Sequence, residues 1–429
     1  MNRTYRLSLG PDTRDYSPEI GHVCKALALS HGLRRADDSP CWLHYGAEPP
    51  SGAIPLPAFL FPQAVTIAAD GLHLNRARLD AIAAQLKPRP DPRQFDAIGL
   101  IFLLQSRLEE RDHAERDRYG RYPYQADFMV QQGLYGDAPA DEALLALAQL
   151  ITGEANPAST TSYRAIPTHD VDRLKAYHRP IEPLRLAAGD LLKRGKPLSA
   201  FKRLQAYASN EPWGSVRDLL DLSERHGLRS RFYLMGPSDS SYDSPYAASM
   251  PGLLHKLTDE IAARGHRLGF HPGFGTVTDA SLWRRQRDGL EAAIGRPVRE
   301  GRQHILSWRA DTSPDIWNDA GMQADYSLGY PEAEGFRSGS CRTLPAYSLV
   351  RRQSLDLLQG STPVMEFGLF GGKYRDCTPQ QALELCRPII ATCRRFGGDL
   401  VLLYHTGQPP GPEHGAMHDF YVSLLQEAA

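Results

Sequence analysis

No apolar stretch in the sequence approaches the roughly 20 residues needed to span a bilayer, so a transmembrane helix is not expected. Neither charge is in excess. Lys and Arg total 49 against 50 Asp and Glu, a net charge of -1. No global field therefore draws the chain to nucleic acid or to an anionic membrane, and only local patches can do so. The six cysteines (Cys24, Cys41, Cys341, Cys377, Cys386 and Cys393) include no close CxxC pair. That spacing speaks against a disulfide framework or a zinc ribbon and fits reduced thiols in a cytoplasmic protein. Positive charge at Arg3 and Arg6 has no apolar core behind it, so a secretory signal is not expected either.

At 429 residues the chain exceeds a typical single domain. Two domains are expected, residues 1–155 and 156–429, with one enlarged α/β barrel as the competing arrangement. In the first part, Glu19 to His31 has helical apolar spacing. Three prolines in the ten residues from Ala53 to Pro62 exclude helix and suggest extended edge structure. Phe95 to Glu109 is the most apolar helix candidate. A polar loop with aromatics, Asp117-Arg118-Tyr119-Gly120-Arg121-Tyr122-Pro123, follows it, then an amphipathic helix over Asp141 to Ile151 and a linker at Thr152 to Pro157. No catalytic constellation is visible in this half.

Beyond the linker, strand and helix alternate. Ile166 to Asp170, Arg231 to Met235, His266 to His271, Val298 to His304 and Asp399 to His405 read as strands. Helices over Ser215 to His226, Leu253 to Arg264, Ala280 to Ile294, Pro314 to Ala320 and Pro379 to Phe396 each stop at glycine. This alternation argues for a parallel sheet closed or nearly closed into a barrel. In such barrels chemistry gathers where the strands end.

Those ends carry the candidate residues. Alternation along a strand puts Asp170 and Asp172 on one face and His169 and Val171 on the other. Taken alone, the two carboxylates fit a capping turn as well as an active site. His271, His304 and His405 close other strands, and two histidines with a carboxylate suit a divalent ion such as zinc with a position open to water. Arg302, two before His304, shares its face if the segment is extended, and can orient a carboxylate or bind an anion.

Thr168-His169-Asp170-Val171-Asp172 resembles the first motif of the NodB-type polysaccharide deacetylases, Thr-Phe-Asp-x-Asp in a subset. Gly265-His266-Arg267-Leu268-Gly269-Phe270-His271 resembles their second motif, Arg302 matches the arginine of the third, and Leu402-Leu403-Tyr404-His405 is similar to the last. The resemblance covers about 160 to 410. The amino-terminal half also resembles an uncharacterised domain found ahead of such deacetylases in bacterial surface-polysaccharide gene products. The fold implied is a distorted (β/α) barrel of the NodB type with a separate, smaller α/β amino-terminal domain.

The activity implied is metal-dependent removal of an N-acetyl group from a sugar in cell-surface polysaccharide or lipopolysaccharide biosynthesis. A cytoplasmic site of action points to a nucleotide- or lipid-linked glycan precursor. One departure matters: the family's second metal histidine, four residues after the first, is replaced here by Gly275. His304 is its nearest substitute, so the implied metal site is Asp172, His271 and His304, with zinc the preferred ion. Asp170 is the implied base, with Arg302 beside it, and His405 the acid that protonates the leaving amine. Asp325, Tyr330 and Trp308 are placed in the substrate groove, and Trp317 and Trp213 are further stacking candidates. His169 and His266 read as structural. The alternatives are hydrolysis of another small amide or formamide at the same site, or a degenerate, non-catalytic carbohydrate-binding protein.

Overall fold

The computed structural model describes residues 3–175, 177, 181–209, 214–370, 372–407 and 412–429. The amino-terminal part begins with a four-stranded parallel sheet in the order β2-β1-β3-β4. Its strands are β1 (Thr4–Leu9), β2 (Arg34–Arg35), β3 (Trp42–Tyr45) and β4 (Ile54–Leu56). The Ser17–His31 helix crosses from β1 to β2 and stops at Gly32, whose φ of +68° provides the left-handed C-cap. An antiparallel pair, β5 (Val65–Ala68) and β6 (Gly71–Leu74), follows.

Two expectations fail here. The Ala53 to Pro62 stretch forms a strand only over Ile54–Leu56. Pro62 lies inside a short helix, Leu60–Ala64, in the first turn, where its missing N–H is not needed. The helix expected over Phe95 to Glu109 is broken in two. Ala97–Ser106 is buried on every side, Arg107 turns left-handed at φ +54°, and Leu108–Arg111 resumes. The fully buried Arg107 donates to Glu110 at 2.8 Å and to Asp127 at 2.5 Å, so the break aims a guanidinium at the carboxylates that neutralise it.

The carboxyl-terminal part is organised on a curled nine-stranded sheet in the order β12-β13-β11-β10-β9-β8-β7-β15-β14. The strands are β7 (Arg164–Val171), β8 (Arg231–Leu234), β9 (Arg267–Phe270), β10 (Glu300–Gly301), β11 (Ala324–Leu328), β12 (Leu344–Ser348), β13 (Gln353–Ser361), β14 (Val364–Met365) and β15 (Asp399–Leu403). All neighbours run parallel except β12 and β13. The molecule is thus mixed α/β, with a sheet that ends in an antiparallel pair instead of a ring of equivalent parallel strands. Helices expected beside this sheet are present within one or two residues of the expected limits, including Ala280–Ile294 and Pro379–Phe396. The helices Ile181–Leu192 and Pro197–Ser209, which leave the sheet after β7, were not expected.

Phe232, Leu234, Phe270, Trp283, Trp317 and Leu402 belong to the core between the sheet and its helices, which accounts for Trp317. The apolar core of the amino-terminal part runs on into Trp308, Leu328, Leu344 and Tyr347 of the other part. Buried ion pairs reinforce that junction. Glu110 accepts from Arg337 at 2.8 and 2.9 Å, and Asp141 accepts from Arg342 at 3.1 Å.

Candidate metal and active site

Parallel register brings the ends of β7, β9, β10 and β15 together. His271 N bonds Leu234 O, Arg302 N bonds Phe270 O, and Tyr404 N bonds Thr168 O, so each polar residue just past a strand is anchored by a neighbour's carbonyl. Asp170 lies within β7 and Asp172 one residue beyond it. His169 faces away, with Nδ1 2.9 Å from Tyr404 O and Nε2 3.1 Å from Ser230 Oγ, as alternation requires.

The ligand atoms of Asp172, His271 and His304 lie within 4.8 Å of one another. Asp172 Oδ1 stands 3.4 Å from His271 Nε2 and 3.8 Å from His304 Nε2. Tetrahedral zinc ligands at about 2.0–2.1 Å from the ion are themselves roughly 3.3 Å apart, and the two sides of the triangle that meet at Asp172 are close to that spacing. His271 donates from Nδ1 to Arg302 O at 2.6 Å, which leaves a lone pair on Nε2. His304 is set in the same way, with Nδ1 2.7 Å from Asp243 Oδ1. Among the described residues, Asp172 Oδ1 and His271 Nε2 are buried and have no hydrogen-bond partner. Two unpartnered ligand atoms 3.4 Å apart, one a carboxylate oxygen and the other an imidazole nitrogen, form a donor set of the kind a divalent cation would satisfy. Burial resists charge on both groups, yet Asp170 and Asp172 raise the His271 pKa, and His271, His405 and His304 hold the Asp172 carboxyl well below the usual range.

His304 does not close a strand. β10 contains only Glu300 and Gly301, and His304 opens a 3-10 turn, His304–Leu306. Ile305 and Leu306 there adopt φ of +63° and +53°, unusual for a β-branched and a branched side chain. Arg121 of the amino-terminal part donates to Ile305 O at 3.2 Å and helps to hold the turn. Because the backbone is not extended, Arg302 and His304 point to different partners. Arg302, fully buried, donates to Asp170 Oδ1 at 2.8 Å, Thr168 Oγ1 at 2.7 Å and Tyr326 O at 3.1 Å. Gly275 has φ +87° and open space where a side chain would start, so a histidine there would be strained.

His405 follows β15. Its Nδ1 is 2.7 Å from Glu366 Oε1, which also accepts from the His405 backbone N–H at 2.8 Å. Burial works against the charged ring, but Glu366 and the two aspartates push its pKa up to about 9. Asp170, Asp172, His304 and His405 line one cavity of about 480 Å³, a size suited to a small ligand. Its walls include Tyr119, Arg121, Tyr242, Phe367, Lys373 and Tyr374.

The three residues assigned to the substrate groove do not line this cavity. Asp325 is buried and accepts from Trp308 Nε1 at 3.0 Å and Gln359 Nε2 at 3.2 Å, so both it and Trp308 are consumed in the core. Tyr330 is buried with its ring edge-on to Tyr124 at 5.3 Å. Trp213 lies outside the described residues. The aromatic wall is supplied instead by Tyr119, Tyr242, Phe367 and Tyr374. Of these, only Tyr119 sits in a segment that the sequence marks, the polar loop with aromatics at Asp117 to Pro123. Asp243 and Glu366, which orient His304 and His405, had none: Asp243 lies in a loop and Glu366 opens the short helix Glu366–Leu369, and only the fold brings each to its histidine.

No family model and no curated protein matches this sequence. Among solved structures, the chain is similar to a Mycobacterium smegmatis protein assigned as a polysaccharide deacetylase, at 19% identity and TM-score 0.38 over 62% of this chain and 85% of that one. It is also similar to a family 4 carbohydrate esterase pseudoenzyme from Bacillus anthracis, at 12% identity and TM-score 0.30 over 62% and 61%. A third is the family 4 carbohydrate esterase from Streptomyces lividans in complex with acetate, at 14% identity and TM-score 0.27 over 50% and 81%. At these scores, the chemistry of the site rests on its own residues.

Proposed function

We propose that this chain is a metal-dependent hydrolase that removes the N-acetyl group of a sugar in cell-surface polysaccharide or lipopolysaccharide biosynthesis. The observation that supports it best is the unpartnered pair Asp172 Oδ1 and His271 Nε2, completed by His304, beside an Arg302-bound carboxylate on the same cavity. Asp172, His271 and His304 would hold a divalent cation, zinc by preference, which supplies Lewis acidity and brings the pKa of a bound water to about 7.

The protein's residues then divide the proton transfers. Arg302 occupies Asp170 Oδ1 and turns that carboxylate so that Oδ2 is available to take a proton from the attacking water. Water oxygen bonds to the acetamido carbon, the C–N bond breaks, and acetate and a free amine result. Amines leave poorly unless protonated. His405, kept protonated by Glu366, has its Nε2 free to deliver that proton. The walls of Tyr119, Tyr242 and Tyr374 offer ring faces to a sugar. In the same reading residues 1–155 form a domain of their own that contributes Tyr119 and Arg121 to the cavity, and the substrate is a nucleotide- or lipid-linked precursor met in the cytoplasm.

Metal analysis and acetate release from a panel of N-acetylated sugars test the proposal. Less than roughly half an equivalent of metal, unchanged in Asp172→Ala, would leave only a degenerate carbohydrate-binding protein. Metal binding with turnover of formamides but no acetylated sugar would favour the other hydrolase.

A further inference from the structure

The helices Ile181–Leu192 and Pro197–Ser209 form a hairpin whose polarity is inverted for a water-soluble surface. Its buried side chains are small or polar: Pro183, Ala187, Asp190 and Ala200. Its large apolar side chains are exposed. Ile181, Leu184, Leu191 and Leu192 are 52–86% exposed, and Leu198, Phe201 and Leu204 are 40–66% exposed. Seven of the twelve exposed large hydrophobics among the described residues thus fall on this one hairpin, and their spacing puts those of each helix on a single face. A scattered exposed leucine needs no explanation, whereas a contiguous patch of this kind marks a surface that something covers.

Charge says what covers it. The hairpin contains Arg185, Lys193, Arg194, Lys196, Lys202 and Arg203 against only Glu182 and Asp190, in a chain whose net charge is -1. Asp190 is spent internally. It accepts from Arg194 at 2.6 Å and Arg203 at 2.5 Å and so fixes the turn between the helices. Arg185, Lys193, Lys196 and Lys202 have no carboxylate partner among the described residues. A second copy of so cationic a patch would repel the first. A surface that is apolar in depth and anionic at its rim suits both halves of the pattern. The helices have 12 and 13 residues, too short to span a bilayer but long enough to lie in its interface.

We propose that the 181–209 hairpin docks the protein on an anionic lipid surface, with the two apolar faces among the acyl chains and the lysines at the headgroups. This stands independently of the deacetylase reading. The hairpin leaves the sheet after β7, which carries Asp170, so docking would hold the candidate site close to the membrane.

The test is flotation of the full-length protein with phosphatidylcholine vesicles with and without about one third phosphatidylglycerol. Binding is expected only with the anionic lipid and should weaken with salt. Leu192→Ser with Phe201→Ser should lower the partition coefficient at least about tenfold, and Lys196→Glu with Lys202→Glu should do so as well, at roughly fivefold per charge removed. All four positions are exposed, and unchanged thermal unfolding would show that the variants fold. Equal binding to both lipids, no binding to either, or indifference to both double variants overturns the proposal. So does a concentration-dependent dimer that the serine variant dissolves, since that would make a second copy the occupant.

Discussion

Replacing Asp243 by asparagine probes the proposed metal site without touching any of its three proposed ligands. In the native protein its carboxylate accepts from His304 Nδ1 at 2.7 Å, which forces the ring to offer a lone pair at Nε2, 3.8 Å from Asp172 Oδ1. An asparagine of the same shape can donate to Nδ1 instead, and the proton then moves to Nε2, where it blocks coordination. Loss of such an orienting carboxylate typically weakens metal binding 10–100-fold, or about 1.4–2.7 kcal/mol. The substitution also disturbs the bonds from Ser238 Oγ at 2.6 Å and Phe274 N at 2.9 Å, so Ser238→Ala, which removes one of these and leaves the tautomer alone, is the control. Competition with a chromophoric zinc chelator reads the affinity directly. His304→Ala should abolish tight binding, Asp243→Asn should fall between it and wild type, and Ser238→Ala should stay near wild type. Native affinity in Asp243→Asn beside loss in His304→Ala would show that the carboxylate does not set the ring, and native affinity in both would remove His304 from the metal site.

Arg302→Met leaves the buried Asp170 carboxylate without its cation, and urea unfolding in the presence of a chelator should show a loss of about 3–5 kcal/mol, reduced when zinc is added; a loss below about 1 kcal/mol would contradict the pairing. Glu366→Gln removes the main group that raises the His405 pKa, so the fall of kcat/KM at high pH should begin at lower pH than in wild type, and an unmoved basic limb would exclude His405 as the proton donor. His22, buried with Nδ1 2.7 Å from Ser354 Oγ, has its pKa depressed by burial to about 3. Because the unfolded chain takes up this proton near pH 6.5 and the folded one does not, stability is full above that pH and falls as pH drops, by about 2 kcal/mol at pH 5. His22→Gln should flatten that part of the urea-unfolding profile, and an identical pH response would refute the assignment.

What could be seen in the sequence was what depends on local order. Strand alternation separated Asp170 from His169, and glycine stops placed the Ala280–Ile294 and Pro379–Phe396 helices, because those signals act within a few residues. What could not be seen depends on distance along the chain. Asp325 and Trp308 look like cavity residues until the core of the amino-terminal part closes over them, and Asp243 acquires its role only when β8 and β10 lie near enough for its loop to meet His304. The case of Gly275 shows both limits. The family resemblance makes the absence of a histidine at Gly275 visible and His304 its nearest substitute, yet His304 does not end a strand. It reaches the site because two left-handed residues, Ile305 and Leu306, turn the chain directly after it, and because Arg121, distant in sequence but in the wall of the same cavity, bonds the carbonyl of that turn. A strained turn held by a remote arginine ties the geometry of this third ligand to the amino-terminal part. The arrangement of Asp172, His271 and His304 therefore depends on the whole chain, and residues 156–429 alone would present Asp172 and His271 without the same hold on His304.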